Sequence, residues 1–239
     1  MRAEMASSRG FEGTESLGLI ARIVPPFLAF LSAFSLGALH TVTYFRNDDF
    51  EWLLLGKTFA DAPWIPFVDA SAQVAGFYRP VVALSWILGY RLWGADPVGY
   101  ALLLSAIFGL TNLAFYSLVA FLQDRPTGFV SALVLATFFP TIITMWWRSL
   151  FTSGIGLLLL VASLYFFAVG FRKGSRKALA GGAILAGLAF LSKESNIVLP
   201  LILFAFLLLY ERKDSAFGRW RWALPPALAV ASYLLMFWL

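Results

Sequence analysis

The sequence predicts an all-α polytopic membrane protein, with about seven transmembrane helices and two interfacial helices in its first external loop. Two observations support this fold class. Hydrophobic residues make up 60% of the 239 positions and charged residues only 13%, too few to cover a soluble domain of this length. Apolar runs of about 18 residues or more recur along the chain, and each can cross a hydrocarbon core about 30 Å thick.

The order of the apolar runs defines the predicted organisation. A polar cytoplasmic tail at 1–16 precedes one transmembrane module at 17–239, with an external loop at 46–96. Spans are predicted at 17–45, 97–122, 127–147, 149–171, 177–192, 196–211 and 220–239. Within the loop, 48–60 and 80–93 are apolar but too short to cross the bilayer. We therefore predict that these two segments form interfacial helices.

The basic residues predict the orientation. Clusters at 172–177 and 212–221 fall on the same side as the N-terminus, while most acidic residues fall on the other side. The positive-inside rule then predicts a cytoplasmic N-terminus. Because both clusters prefer the cytoplasm, 178–210 must form a hairpin, bent at 193–196 and recessed into the membrane. The net charge of +5 comes from such clusters, so we expect no nucleic-acid partner.

Two adjacent acids, Asp48 and Asp49, directly follow the first span. One interpretation is catalytic, with a carboxylate acting as a general base where a lipid-borne donor meets an acceptor. The other is structural, because Asp48 and Glu51 have the spacing of a helix capping box. Both roles are compatible. No cofactor is expected: a divalent cation at Asp48 and Asp49 is chemically allowed but unsupported, and a chain without cysteine and with a single histidine predicts no zinc site.

A second candidate site lies at the start of the second interfacial helix. Pro80 suits a first helical turn, which places Tyr78 and Arg79 at the helix N-terminus. A guanidinium at that position can bind a phosphate. The alternative is an arginine that reaches the lipid headgroups without a specific ligand.

A third candidate is the pair Lys193 and Glu194 at the bend of the predicted hairpin. Ionisable groups near membrane depth are costly and often mark function. We predict that Lys193 contacts a phosphate and that Glu194 orients Lys193, the alternative being an ion pair in a surface loop. Arg148, at the bend of the preceding hairpin, is a weaker candidate of the same kind.

Three blocks in this order resemble the GT-C superfamily of membrane glycosyltransferases, and in particular the dolichyl-phosphate-mannose–protein mannosyltransferases and their bacterial relatives. They are NDDFEW at 47–52, YRP at 78–80 followed by WGADPVGY at 93–100, and LSKE at 191–194. The resemblance covers most of 17–211. Members of this family are longer, whereas this sequence stops within an apolar run, which favours a C-terminally truncated module.

The resemblance implies that Asp48 deprotonates the acceptor, that Asp49 is the second acid of the pair, and that Arg79 and Lys193 contact the lipid phosphate. The implied donor is a polyprenyl- or dolichyl-phosphate sugar, and the acceptor is a protein, lipid or glycan on the external face of a bacterial inner or plasma membrane. The alternative is a non-catalytic lipid-phosphate-binding subunit or scaffold that retains the fold.

Overall fold

The computed structural model describes residues 22–39, 44–69, 71, 74, 77–138 and 151–202, and all regular secondary structure within them is helical. The helices are α1 (Arg22–Leu39), α2 (Asp49–Thr58), α3 (Ile65–Val68), α4 (Pro80–Trp93), α5 (Pro97–Leu122), α6 (Arg125–Thr137), α7 (Phe151–Lys173) and α8 (Arg176–Phe190), followed by a 3-10 helix at Glu194–Val198. The all-helical part of the prediction is therefore confirmed for these residues.

Three of the described helices are long and apolar enough to cross a membrane: α1, α5 and, in α7, Thr152–Lys173. They correspond to the spans predicted at 17–45, 97–122 and 149–171. The spans predicted at 127–147 and 177–192 correspond to the shorter helices α6 and α8. The tail at 1–16, residues 139–147 of the span predicted at 127–147, the span at 220–239 and most of 196–211 lie outside the described residues.

Helix α5 is central to the bundle. The Asn112 side chain donates from Nδ2 to the carbonyl of Ala29 in α1, at 2.5 Å. One turn further along α1, Ala33 shares a small cavity with Phe108, which lies one turn earlier on α5. Because residues later in α1 contact residues earlier in α5, the two helices are antiparallel. Helix α6 then packs back along α5.

Helix α7 runs parallel to α5. In the first turn of α7, Gly154 faces Ile107, which lies in the middle of α5. Further along both helices, Tyr165 of α7 meets the ring of Phe121, at the end of α5, edge to face with centroids 6.1 Å apart. Helix α8 then returns along α7, so that its end lies beside the start of α7. We call the turn that follows, residues 191–198, the hairpin tip. Helix α8 thus ends just before the bend predicted at 193–196, while most of the second arm of the predicted hairpin lies outside the described residues.

The two ends of this bundle carry different charges. At one end, Arg172 at the end of α7 donates to the carbonyl of Phe121 at the end of α5, at 2.7 Å. Arg125, Arg176 and Lys177 also belong to this end, because they begin α6 and α8. The other end holds the starts of α5 and α7, the hairpin tip and the loop with α2 to α4. The candidate residues Asp48, Asp49, Arg79, Lys193 and Glu194 all lie at this second end.

Helices α2 and α4 occupy the segments predicted as 48–60 and 80–93. They pack closely because Gly56 lacks a side chain: a Cβ there would lie 2.8 Å from the carbonyl oxygen of Trp86. Trp52 stacks on the Trp86 ring with centroids 6.4 Å apart. On the opposite face of α2, Phe50 and Leu54 remain 58% and 63% exposed. The helix α2 is therefore anchored by one face and presents apolar side chains on the other.

Helix α4 runs from the hairpin tip to the start of α5. Its first amides lie at the hairpin tip, where the Val81 amide donates to the carbonyl of Leu191 at 3.4 Å. Its last residue, Trp93, contacts the Tyr100 ring in the first turn of α5 with centroids 5.7 Å apart. Directly after Trp93, Gly94 takes a positive φ of 56° and ends α4. Both termini of α4 thus lie at one end of the bundle.

Candidate functional site

Asp48 and Asp49 have different environments at the start of α2. Asp48 is the N-cap residue, as predicted, but the predicted capping box is wrong, because the Asp48 side chain makes no capping hydrogen bond. Its backbone has φ −67° and ψ −9°, which are helical values rather than the extended ones that turn a cap side chain back to the amides. The buried acid is Asp49, 1% exposed, whose Oδ2 accepts from the Arg46 amide at 2.8 Å.

The two acids therefore differ: one has a structural role, and the other is accessible. Asp49 closes the turn that begins α2 and is enclosed by the protein. Asp48 is only half-buried, so its carboxylate can be reached from outside the core. Of the pair, Asp48 is the more accessible acid.

Arg79 and Glu194 form a two-point ion pair across 115 residues of chain. Arg79 donates from Nε to Oε2 at 2.9 Å and from Nη2 to Oε1 at 2.6 Å. The Arg79 side chain is 14% exposed and that of Glu194 is 34% exposed. The guanidinium carbon also lies 4.3 Å from the centre of the Phe77 ring. Arg79 is thus fixed in plane and direction at the start of α4.

Lys193, next to Glu194 in sequence, makes its contact with a different helix. Its Nζ donates to Oγ of Ser153 in the first turn of α7, at 2.5 Å. The structure therefore differs from the predicted arrangement in which Glu194 orients Lys193. The Glu194 carboxylate makes its two-point contact with Arg79, because the planar guanidinium matches a carboxylate better than an ammonium does.

The pKa shifts in this cluster agree with its geometry. Burial, and then the charge of Arg79, lower the pKa of Lys193, while the charge of Glu194 acts in the opposite direction. Burial alone would raise the pKa of Glu194, but the hydrogen bond and charge of Arg79, together with Lys193, lower the pKa overall. Glu194 is therefore ionised, and with Lys193 protonated the cluster carries one excess positive charge. A half-buried site of this charge attracts an anion.

Tyr78 lies beside Arg79 but makes a structural contact. Its hydroxyl donates to the carbonyl of Phe67 at 2.9 Å, which ties α3 to the start of α4. Burial raises the pKa of Tyr78. Arg148, the remaining candidate from the sequence, lies outside the described residues. Within the part of the chain that the structure describes, no group of three or more His, Cys, Asp or Glu side chains could hold a metal ion.

One hydrophobic core supports both the acidic pair and the cationic cluster. It includes Trp52 of α2, Val82 and Trp86 of α4, Leu104 of α5 and Ile155 of α7, all buried. Asp49 lies three residues before Trp52, Arg79 three residues before Val82, and Ser153 two residues before Ile155. The packing of α2, α4 and α7 around this shared core therefore holds the candidate polar residues close to one hydrophobic cluster.

Comparison with known proteins agrees with the resemblance. Residues 79–238 match the family model of the dolichyl-phosphate-mannose-protein mannosyltransferases, more than half of the chain. No curated protein matches the chain. The matched region begins at Arg79 and contains Lys193 and Glu194, whereas Asp48 and Asp49 lie before it. The predicted family is thereby confirmed: the chain belongs to the dolichyl-phosphate-mannose-protein mannosyltransferase family, whose members are membrane glycosyltransferases of the GT-C type.

Proposed function

We propose that this protein transfers a sugar from a polyprenyl- or dolichyl-phosphate donor to a protein, lipid or glycan acceptor on the external face of the membrane. The observation that carries the proposal is the pair of cations, Arg79 and Lys193, held by Glu194 and Ser153 in one half-buried cluster. Such a cluster suits a phosphate that stays attached to a membrane-embedded chain while its charge develops at the bond that breaks.

The chemistry follows from the two groups of residues. Asp48 accepts the proton of the acceptor hydroxyl, whose oxygen attacks the anomeric carbon of the sugar. The bond between that carbon and the phosphate oxygen breaks, and the electron pair leaves with the phosphate. Arg79 and Lys193 stabilise the negative charge of the departing lipid phosphate. Asp49 shapes the turn that presents Asp48.

The direct test is a transfer assay with the full chain in lipid nanodiscs. We expect polyprenyl-phosphate mannose, but not a nucleotide-linked mannose, to yield free polyprenyl phosphate and a mannosylated acceptor. The control is the same preparation with the acceptor omitted. Consumption of the nucleotide sugar, with the lipid-linked sugar left intact, would refute the proposed donor class.

The second candidate function is a non-catalytic subunit or scaffold that binds a lipid phosphate. It is favoured by the position of the family match, which includes the cationic cluster but not Asp48 or Asp49. In that case polyprenyl phosphate would bind to the nanodisc preparation, whereas no acceptor would be glycosylated. The transfer assay and a binding measurement on one sample therefore separate the two functions.

We also propose an arrangement in the bilayer of about seven spans, a cytoplasmic N-terminus, and α2 and α4 at the external interface. Exposed apolar side chains on α2 and the position of both α4 termini at one end of the bundle support it. The sequence contains no cysteine, so a single introduced thiol reports one position. We expect an impermeant thiol reagent to label Lys57→Cys in intact cells and Lys173→Cys only after permeabilisation. The reverse pattern would invert the orientation.

A further inference from the structure

The first turn of α7 makes two contacts with the hairpin tip that the sequence does not reveal. Ser153 accepts a hydrogen bond from Lys193 Nζ at 2.5 Å, between residues 40 positions apart. One turn further along α7, Gly156 faces the same tip. A Cβ on Gly156 would lie 2.8 Å from Nδ2 of Asn196 and 3.4 Å from Cβ of Lys193. A side chain at position 156 would therefore force the Asn196 amide group to shift.

The tip is itself held in one shape. Asn196, 7% exposed, donates from Nδ2 to the carbonyl of Ala189 at 2.6 Å. The Asn196 amide donates to the carbonyl of Lys193 at 3.0 Å, and the Lys193 amide donates to Ala189 at 3.2 Å. The backbone of Lys193 is thus fixed at the end of α8, and only its long side chain needs a further contact to take a defined direction.

The choice of a serine hydroxyl as that contact has an electrostatic consequence. The charge of Arg79 repels that of Lys193 more strongly than the charge of Glu194 attracts it. A lysine side chain is flexible, so this repulsion would turn an unanchored ammonium away from the site. A carboxylate would anchor Lys193 but would also neutralise it. A hydroxyl anchors the ammonium and leaves its positive charge available to an anion.

We propose that Ser153 is a positioning residue for Lys193, holding its ammonium beside the Arg79–Glu194 pair so that both cations can contact one phosphate group. This inference rests on the proposed function for the identity of the anion. The contact between α7 and the tip itself is independent of any transfer activity.

The test compares Ser153→Ala and Ser153→Thr with the unmodified chain in nanodiscs. We expect Ser153→Ala to raise KM for polyprenyl-phosphate mannose, and Kd for undecaprenyl phosphate, by about 10-fold, as is typical of a lost hydrogen bond to a charged group. Ser153→Thr keeps the hydroxyl and should restore both constants to within about 3-fold, a margin small against that single-bond effect.

The pH profile gives a readout that a purely structural role would not change. Lys193 binds an anion only when protonated, so donor affinity falls as pH rises through the pKa of Lys193. Burial and Arg79 lower that pKa, so the fall begins below the ordinary range of lysine. The Ser153 acceptor favours the charged ammonium, and its removal lowers the pKa further. We therefore expect the alkaline limb of Ser153→Ala to move to lower pH.

Ser163 provides the matched control on the same helix. It is buried and donates to the carbonyl of Gly182 in α8 at 2.9 Å, away from the tip. Ser163→Ala should lower the melting temperature without altering KM, Kd or the alkaline limb. If Ser153→Ala behaved like Ser163→Ala, or if threonine failed to rescue it, the positioning role would be refuted.

The two proposals fail in distinguishable ways. If the unmodified chain transferred no sugar but Ser153→Ala still weakened undecaprenyl phosphate binding, the proposed function would be lost and the positioning role supported. If transfer proceeded and Ser153→Ala left binding and the pH profile unchanged, the function would stand and the positioning role would be refuted.

Discussion

Asp48→Asn is expected to lower the rate of sugar transfer by about 10²- to 10⁴-fold, the usual contribution of a positioned general base. Asparagine has nearly the same shape but cannot accept the acceptor proton at neutral pH. Because Asp48 is half-buried and makes no capping hydrogen bond, the substitution should leave the start of α2 intact. The measurement is kcat with polyprenyl-phosphate mannose, together with the melting temperature of the variant in detergent.

Two neighbours serve as controls for Asp48. Glu51 is an exposed carboxylate in the first turn of the same helix, and Glu51→Gln should transfer sugar at the normal rate. Asp49→Ala removes the buried acceptor of the Arg46 amide and should destabilise the fold by about 1–3 kcal/mol. Transfer by Asp48→Asn at more than about a third of the normal rate would be far outside the range for a lost base, and the assignment of Asp48 would be abandoned.

Arg79→Ala is expected to lower kcat/KM for the lipid-linked donor by about 10²- to 10³-fold, the effect of losing one donor to a charge that develops during reaction. It also leaves the Glu194 carboxylate without its two-point partner in a partly buried position. The phosphate would then meet a negative charge in place of a fixed guanidinium. The measurement is the dependence of the transfer rate on donor concentration.

Three further variants show whether the fork geometry or only the charge of Arg79 matters. Arg79→Lys keeps the charge but loses the planar fork, and should fall between the alanine variant and the unmodified chain. Glu194→Gln should have a smaller effect than Arg79→Ala, because both cations remain. Arg91→Ala removes an exposed arginine from the last turn of the same helix and should be nearly silent. An Arg91→Ala effect as large as that of Arg79→Ala would contradict a specific phosphate contact.

The sequence predicted the helical segments well because the bilayer leaves few alternatives. The 80–93 segment begins with a proline and ends before a glycine, and the structure has a helix with those bounds. Helix α8 ends at Phe190, close to the bend at 193–196 that the basic clusters on both sides predict. These are local patterns or counts, and they do not depend on which helices touch.

The pairing of side chains within the site was not predictable in the same way. Sequence order places Glu194 beside Lys193, yet its carboxylate bonds to Arg79, which is distant in sequence and close only after α4 meets the tip. Ser153 stands in an apolar run with no sign that a lysine reaches it. The capping box failed because its spacing does not specify the backbone angles of Asp48. Contacts between distant segments and exact dihedral angles were therefore the parts that required a structure.

The long separation between Arg79 and Glu194 has a consequence for biosynthesis. At about 5–20 residues per second, a ribosome that has just added Arg79 needs roughly 6–23 s to add the 115 further residues that lead to Glu194. During that interval the amide of Val81 also lacks the Leu191 carbonyl that receives its hydrogen bond. The cluster of Arg79, Glu194 and Lys193 is thus assembled late, after α5, α6 and α7 have been synthesised, and the phosphate site proposed for it cannot be complete in a nascent chain before then.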